Sequence, residues 1–337
     1  MRWASQAVSV DDGALPGLQL AGLVRSVRAP QFDGVTFHEV LCKSALNKVP
    51  DSALLPFRFT VNAYRGCSHA CRYCFARPTH EYLEFDAGSD FDSQIVVKTN
   101  IVDVLRRELG RRSWRRDTVA LGTNTDPYQR AEGRYELMPG IIGALAASQT
   151  PMSILTKGTL LRRDLPLISG VAQLVPVNVS VSLAVGDEDL RHRIEPGVPS
   201  VSARLALIAS IYEAGLSPHV MVAPVLPYLT DSVEHLDSLL GRIAEAGATG
   251  ATVFGLHLRG KTRGWYLSWL AREFPELVPA YRQLYGSGAY LPKTYRDELR
   301  RRVAPLLAAH GLVSRIDAPK PAQLQSVSAV EAQPTLF

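Results

Sequence analysis

Residues 64–74 of the sequence read Tyr-Arg-Gly-Cys-Ser-His-Ala-Cys-Arg-Tyr-Cys, which places three thiols in a Cys-x-x-x-Cys-x-x-Cys loop. The three residues are Cys67, Cys71 and Cys74, and the whole chain of 337 residues has only four cysteines. Clustered thiolates favour an iron–sulfur cluster or a soft metal ion over a disulfide framework. Three ligands also leave one metal position without a nearby cysteine, and an open position is what reactive metal chemistry requires.

Short β-branched runs alternate with longer periodic segments from about residue 58 onwards, which is typical of βα units around a parallel sheet. The pattern predicts six strands, at 58–64, 118–122, 152–156, 177–183, 219–225 and 251–258. Six units are fewer than the eight of a complete barrel. The sequence therefore predicts an α/β fold, a partial, open (β/α)6 barrel of the TIM type, with reactive groups at the carboxyl ends of its strands.

Composition along the chain suggests four parts. Residues 1–57 precede the first predicted strand as an N-terminal extension, and the barrel occupies residues 58–260. Residues 261–316 form a predicted helical C-terminal region. Residues 317–337 are rich in Pro, Gln, Ser and Ala and predict a flexible tail.

The overall composition is that of an ordinary globular chain, with 46% hydrophobic and 20% charged residues. No N-terminal apolar run and no apolar stretch of about 18 residues is present, so we expect a cytoplasmic protein without membrane contact. A formal net charge of +5 permits an anionic partner, although most surface Lys and Arg residues simply solvate a fold. The arginine pairs at 106–107, 111–112 and 115–116 are the features that favour nucleic-acid binding.

The cysteine loop, with Tyr73 directly before its last cysteine, resembles the signature loop of radical S-adenosylmethionine (SAM) enzymes. Further segments resemble the spore photoproduct lyase-like subgroup of that superfamily and its uncharacterised bacterial members, and the resemblance covers about residues 44–260. These segments are Asn-Ala-Tyr-Arg-Gly-Cys at 62–67, Phe-Ala-Arg-Pro-Thr-His-Glu-Tyr at 75–82, Gly-Thr-Asn-Thr-Asp-Pro-Tyr at 122–128, Leu-Thr-Lys at 155–157, Glu-Pro at 195–196 and Met-Val-Ala-Pro-Val at 221–225.

The resemblance implies a 4Fe-4S cluster held by Cys67, Cys71 and Cys74, with S-adenosylmethionine bound to the fourth iron. It implies reductive cleavage of S-adenosylmethionine to a 5′-deoxyadenosyl radical that abstracts hydrogen from a substrate. Such an enzyme also needs a reducing partner such as flavodoxin or ferredoxin. The sequence identifies neither the substrate nor a catalytic residue.

Polar residues near the predicted strand ends are the candidates for contact with S-adenosylmethionine. Thr123, Asn124 and Asp126 follow the second strand with hydroxyl, amide and carboxylate groups. Lys157, after the third strand, resembles the lyase lysine that reaches the cofactor carboxylate. The complete set comprises Tyr73, Thr123, Asn124, Asp126, Lys157, Ser180, Ser182 and Glu195.

Several of these residues also have structural interpretations. Ser180 and Ser182 lie two residues apart on one strand, so their hydroxyls share a face of the sheet, and alignment with the lyase favours Ser182 for the contact. Asp126 also fits a plain Asp-Pro turn. Glu195 either touches the cofactor or pairs with Arg193 or Arg204.

Two alternative functions remain. A zinc site completed by His69 or Cys42 would hold a loop in a non-catalytic binding protein. The other alternative is a nucleic-acid-modifying or lyase-type DNA repair enzyme of the same class. The lyase returns hydrogen to thymine from a cysteine near the end of its second strand. Residues 121–124 here read Leu-Gly-Thr-Asn, without a cysteine, which argues against photoproduct repair.

Overall fold

The computed structural model describes residue 20 and residues 22–50 and 55–314, so the predicted tail at 317–337 lies outside the described residues. The strands in chain order are β1 (Leu23–Arg28), β2 (Thr36–Val40), β3 (Leu46–Lys48), β4 (Phe59–Val61), β5 (Tyr64–Arg65), β6 (Gln94–Lys98), β7 (Val119–Leu121), β8 (Met152–Thr156), β9 (Val177–Ser182), β10 (His219–Val225) and β11 (Gly250–Gly255). The helices are α1 (Ser89–Ser93), α2 (Ile101–Leu109), α3 (Glu132–Tyr135), α4 (Leu137–Ala147), α5 (Leu161–Ala172), α6 (Glu188–Ile194), α7 (Val201–Glu213), α8 (Val233–Glu245), α9 (Lys261–Glu273), α10 (Val278–Tyr285) and α11 (Lys293–Ala309).

The larger sheet contains the six predicted barrel strands. Its order is β11-β10-β9-β8-β7-β4-β3, and all neighbours pair in parallel except β3, which adds an antiparallel edge. The parallel strands therefore follow one another in chain order, as βα units wound in one direction do. The predicted α/β partial barrel is confirmed.

Helices cover this sheet with apolar faces whose spacing matches the helical repeat. In α8, Leu236, Leu239, Leu240 and Ile243 are buried in the main core, at intervals of three and four residues. The strands contribute β-branched side chains to the same core, for example Val181 of β9. The position of the strand ends, and hence of the site, depends on this packing.

A second, four-stranded sheet was not predicted. Its order is β1-β2-β6-β5, and β5 pairs antiparallel with β6. The first predicted barrel strand, 58–64, thus ends at Val61, because Tyr64 turns away to pair with Val97. Residues 36–40, which the sequence groups with the N-terminal extension, pair with residues 94–98 of the barrel part.

The α-helices α9, α10 and α11 follow the last barrel strand within the described structure. The longest, α11, packs against β11 and α8, so it covers the edge strand of the larger sheet. Beyond α11, Val313 forms a parallel bridge with Gly250 at the start of β11. Within the described residues, no helix combines the length and the apolar character needed to cross a membrane.

A buried carboxylate connects the smaller sheet to two helices of the barrel. Glu132 is fully buried, and its carboxylate accepts hydrogen bonds from the Tyr64 hydroxyl of β5 and from the first two backbone amides of α4. The Nη2 atom of Arg163 in α5 donates to it at 2.8 Å. Because a helix begins with unpaired amides, this carboxylate caps α4 from outside the helix.

Replacing Glu132 with Ala should lower the free energy of unfolding by about 3 kcal/mol, since the buried Tyr64 hydroxyl and two backbone amides at the start of α4 lose their acceptor. Urea unfolding followed by circular dichroism measures the change. The matched control is Glu136→Ala, whose carboxylate is 64% exposed and lies 3.5 Å from the same arginine. The control should cost less than about 1 kcal/mol, and equal losses in both variants would contradict the assignment.

Candidate active site

A cavity of about 200 Å³ lies where the cysteine loop meets the carboxyl ends of the parallel strands. All three clustered cysteines line it, together with polar residues at the carboxyl ends of β7, β8 and β9. Six of the eight residues predicted to contact a cofactor lie in this lining: Tyr73, Thr123, Asn124, Asp126, Lys157 and Ser182. The structure thus brings most of the predicted site residues to one place.

Ser180 and Glu195 do not belong to that lining. Ser180 lies two residues before Ser182 on β9, in register with Leu155 and His219. The sequence predicted that the two serines share a face of the sheet, but it did not predict that Ser180 lies too far from the strand end to line the cavity. Glu195 is fully buried behind the cavity wall, where it contacts Tyr73 and Lys157.

The cysteine loop is held in place by contacts from the barrel. The Gln129 side chain accepts a hydrogen bond from the backbone amide of Ser68 and donates one to the carbonyl of Gly66, both at 3.0 Å. Gly197 lies so close that an added Cβ would come within 2.0 Å of the Ser68 carbonyl oxygen. Only glycine fits there, and its amide donates to the His69 carbonyl at 3.1 Å.

Arg77 supports the other end of the loop. Its guanidinium is fully buried and donates two hydrogen bonds, of 3.1 and 3.0 Å, to the carbonyl of Cys71. It also pairs with Asp92 at 2.8 Å and lies over the rings of Phe91 and Trp265. The loop therefore has a fixed backbone on both sides, which is what a set of ligands needs for a defined geometry.

A buried cluster of charges lies beneath the cavity. The Tyr73 hydroxyl donates to Glu195, the Lys157 Nζ atom lies 3.3 Å from Glu195 Oε1, and Arg204 Nη1 lies 3.1 Å from Oε2. Burial by itself would raise the pKa of Glu195, but Lys157 and Arg204 lower it to about 2. Of the two partners considered for Glu195, Arg204 is the one it meets, because Arg193 pairs with Glu273 at 2.8 Å.

Asp126 is engaged entirely by this chain's own donors. One carboxylate oxygen accepts from the Thr156 hydroxyl and the Tyr128 amide, which forms the local turn expected of Asp-Pro. The other accepts from the Lys157 amide at 2.6 Å and lies 3.3 Å from Nδ1 of His69. Asp126 therefore ties the segments after β7 and β8 to the cysteine loop.

His69 is a site residue that the sequence considered only as a loop residue or a zinc ligand. Its ring is buried and lies between Asp126 and Cys67. Burial would lower the pKa of His69, but the carboxylate and the Cys67 sulfur together raise it to about 10. Its position between two clustered cysteines is the signal that could have indicated this role.

The remaining wall of the cavity is apolar and was only partly foreseen. Met221 and Pro224 of β10 belong to a segment that the sequence singled out, whereas Phe75, Phe254, Leu256 and His257 were not named as site residues. Three of these lie between the middle and the carboxyl end of the last predicted strand, 251–258. Strand ends alone could have indicated them.

The fourth cysteine lies elsewhere. Cys42 is buried outside the cavity lining, and its backbone amide and carbonyl pair with the Asn100 side chain. Within the part of the chain that the structure describes, no three His, Cys, Asp or Glu side chains are grouped as ligands of a single metal ion.

The sequence profile of the Radical SAM superfamily matches residues 61–240, which is more than half of the chain. The chain belongs to the radical SAM superfamily. The matched residues include the cysteine loop and the polar groups at the carboxyl ends of β7, β8 and β9. The radical SAM family predicted from the sequence is thereby confirmed, and the chain is a radical SAM enzyme.

Similar proteins extend this assignment. An uncharacterised protein of Mycobacterium tuberculosis strain H37Rv is 71% identical over 342 residues, covering 100% of both chains. Among solved structures, a spore photoproduct lyase complexed with dinucleoside spore photoproduct has a TM-score of 0.62 at 14% identity, covering 82% of this chain and 81% of that chain. A double mutant of the lyase with bound AdoMet and the same dinucleoside has a TM-score of 0.60 at 14% identity, covering 80% and 78%. At these identities the radical SAM chain and the lyase share the fold.

Replacing Glu195 with Gln should lower the free energy of unfolding by about 3 kcal/mol at neutral pH, because Arg204 and Lys157 lose their buried counter-charge. A pKa lowered from 4.5 to about 2 means that the stabilisation is fully present above pH 4.5 and is lost as the pH falls towards 2. Urea unfolding of protein prepared without iron, at a series of pH values, measures this difference.

The matched control is Glu273→Gln, which removes the charge partner of the part-exposed Arg193. Its cost should stay below about 1 kcal/mol. A Glu195→Gln cost that does not shrink on acidification would contradict the buried-charge interpretation.

Proposed function

We propose that this enzyme holds a 4Fe-4S cluster with Cys67, Cys71 and Cys74 and cleaves S-adenosylmethionine reductively to abstract hydrogen from a substrate in the same cavity. The observation that carries the proposal is the common cavity, which three thiols share with the polar residues at the carboxyl ends of β7, β8 and β9. Membership of the superfamily and the AdoMet-bound lyase of the same fold support it. An external electron donor, such as flavodoxin or ferredoxin, would supply the electron.

The residues present fit these cofactors. Three soft sulfur ligands suit the irons of a cluster. Behind them, the cations Lys157 and Arg204 outnumber the single anion Glu195, so the cluster of charges has a positive excess. That excess suits the carboxylate of S-adenosylmethionine, which Lys157 would hold from the cavity lining.

Other side chains would orient and protect the bound groups. When bound, the cluster and S-adenosylmethionine together supply a 5′-deoxyadenosyl radical. Ser182 contacts Lys157 Nζ and would fix the direction of the ammonium group. Thr123 and Asn124 offer hydroxyl and amide partners at the end of the neighbouring strand β7. The apolar wall around Met221 and Pro224 would keep water away from a reactive radical.

Two residues of the predicted set take different roles in this proposal. Asp126 has its carboxylate occupied by donors of the chain itself and would act by positioning Lys157 and His69. Glu195 would act on Lys157 and Tyr73 from behind the cavity. Neither would need to touch the cofactor.

Photoproduct repair of the lyase type is not part of the proposal. That reaction returns hydrogen to thymine from a thiol, and among the described residues that line the cavity the thiols are those of Cys67, Cys71 and Cys74. The lining after β7 comprises Gly122, Thr123, Asn124, Thr125 and Asp126 instead. Bonds to hydrogen in hydroxyl and amide groups are much stronger than in thiols, so these groups are poor substitutes.

Anaerobic reconstitution should load about four irons and four sulfides per chain, as expected for a cluster with cysteine ligands. Cys67→Ala, Cys71→Ala and Cys74→Ala should each abolish the intact cluster, while Cys42→Ala, the matched control, should retain it. Metal analysis and iron–sulfur absorbance measure the outcome. Loss of the cluster in Cys42→Ala would mean a different ligand set, and stoichiometric zinc without iron–sulfur absorbance would favour the zinc alternative.

The reduced, reconstituted enzyme should slowly release 5′-deoxyadenosine and methionine from S-adenosylmethionine without any substrate. Lys157→Ala and Ser182→Ala should each weaken cofactor binding by about 0.5–3 kcal/mol with the cluster retained, because each removes one polar contact. Equilibrium binding and chromatography of the products measure both effects. Ser180→Ala, on the same face of β9 but outside the cavity lining, is the control and should leave the affinity unchanged. Unchanged affinity in Lys157→Ala and Ser182→Ala would remove both residues from the site.

A further inference from the structure

A second cavity adjoins the active-site cavity at the edge of the larger sheet. It has a volume of about 270 Å³ and lies between the end of β11 and helix α11. Phe254, Leu256 and His257 line both cavities. These three residues are therefore the common boundary of the two cavities.

Aromatic rings surround the junction of the two cavities. The His257 ring lies 6.1 Å from Phe75, 6.5 Å from Phe254 and 5.9 Å from Tyr290, measured between ring centroids. Phe75 and Tyr290 are each about half exposed, and Phe254 is 38% exposed. Grouped, exposed aromatic residues beside a cavity indicate a binding surface, and their planar faces favour a planar ring as ligand.

The second cavity is also cationic. Arg296 and Arg300 of α11 line it, and the Arg259 guanidinium lies 4.9 Å from the Tyr290 ring. Arg300 is paired with Asp297 at 3.0 Å, and Arg296 interacts electrostatically with the same carboxylate, so two arginines of the lining share one neighbouring acid. No Asp or Glu belongs to the described lining of this cavity. The charge is therefore complementary to an anion.

We propose that the second cavity binds the part of the substrate remote from the reacting carbon, as a planar aromatic ring that bears an anionic group. The ring lies among Tyr290, His257 and Phe254, and the carboxylate or phosphate lies against Arg296. The rest of the substrate passes Phe254 into the active-site cavity. This inference rests on the proposed function, because it assigns the bound molecule as the substrate of hydrogen abstraction.

The test uses the reconstituted holoenzyme and three probes of one ring: 2-naphthoate, 2-naphthyl phosphate and the neutral 2-naphthamide. At least one anionic probe should bind about threefold or more tightly than the amide, as expected for an exposed charge pair, and the better anion identifies the class of substrate. Arg296→Gln should remove this preference, whereas Tyr290→Ser should weaken all three probes. Arg301→Gln, an exposed arginine of the same helix outside the cavity lining, is the matched control and should change nothing.

Equal binding of all probes to the unmodified enzyme, or a preference that survives Arg296→Gln, would overturn the inference. A single-stranded oligonucleotide that binds with a steep salt dependence and displaces 2-naphthoate would also overturn it, because the occupant would then be a nucleic-acid strand.

Iron content and substrate-free cleavage of S-adenosylmethionine, measured on the same preparations, separate this inference from the proposed function. An intact cluster and normal cleavage without anion preference overturn the inference alone. If the protein takes up no cluster but still binds the anionic probes in a way that depends on Arg296, the radical function is overturned. The second cavity is then still supported as a site for an aromatic anion.

Discussion

The buried carboxylate of Glu195 is the contact on which the geometry of the site depends. It joins Tyr73 of the cysteine loop, Lys157 after β8 and Arg204 of α7. Arg204 in turn donates to the backbone carbonyl of Ser182 at the end of β9. One side chain thus fixes the loop of thiols relative to the strand ends that face it, before any cofactor binds.

Buried ion pairs of this kind contribute little to stability in general, because removing both charges from water costs about as much as their attraction returns. The cluster around Glu195 has a different consequence. Two cations share one anion, so the cluster has a positive excess, and Lys157 presents it to the cavity from a buried ion pair. Fixed charges of this kind bind an anionic group without reorganisation, which is the electrostatic advantage of a preorganised site.

Much of the barrel could be predicted because its signals are local. The β-branched runs mark the strands, and the spacing of Leu236, Leu239, Leu240 and Ile243 marks the buried face of α8. Contacts between distant segments left no such signal. The pairing of Tyr64 with Val97 creates the second sheet, and the approach of Asp126 to His69 makes that histidine a site residue. The partner of Glu195 depended on which arginine faces inward, and Arg193 instead lies against Glu273.

The middle strands of the barrel and its last strand carry different kinds of side chain. The cysteine loop and the carboxyl ends of β7, β8 and β9 supply the thiols, the charges and the polar groups of the first cavity. The end of β11 and helix α11 supply rings and arginines, and α11 lies against the edge of the sheet rather than within it. Because the two sets of residues come from separate segments and meet only at the junction around His257, the surface of α11 can change without disturbing the contacts of Glu195. Under the proposed function, recognition of a substrate and activation of a cofactor would use separate residues of this fold, which is how one barrel can host different reactions.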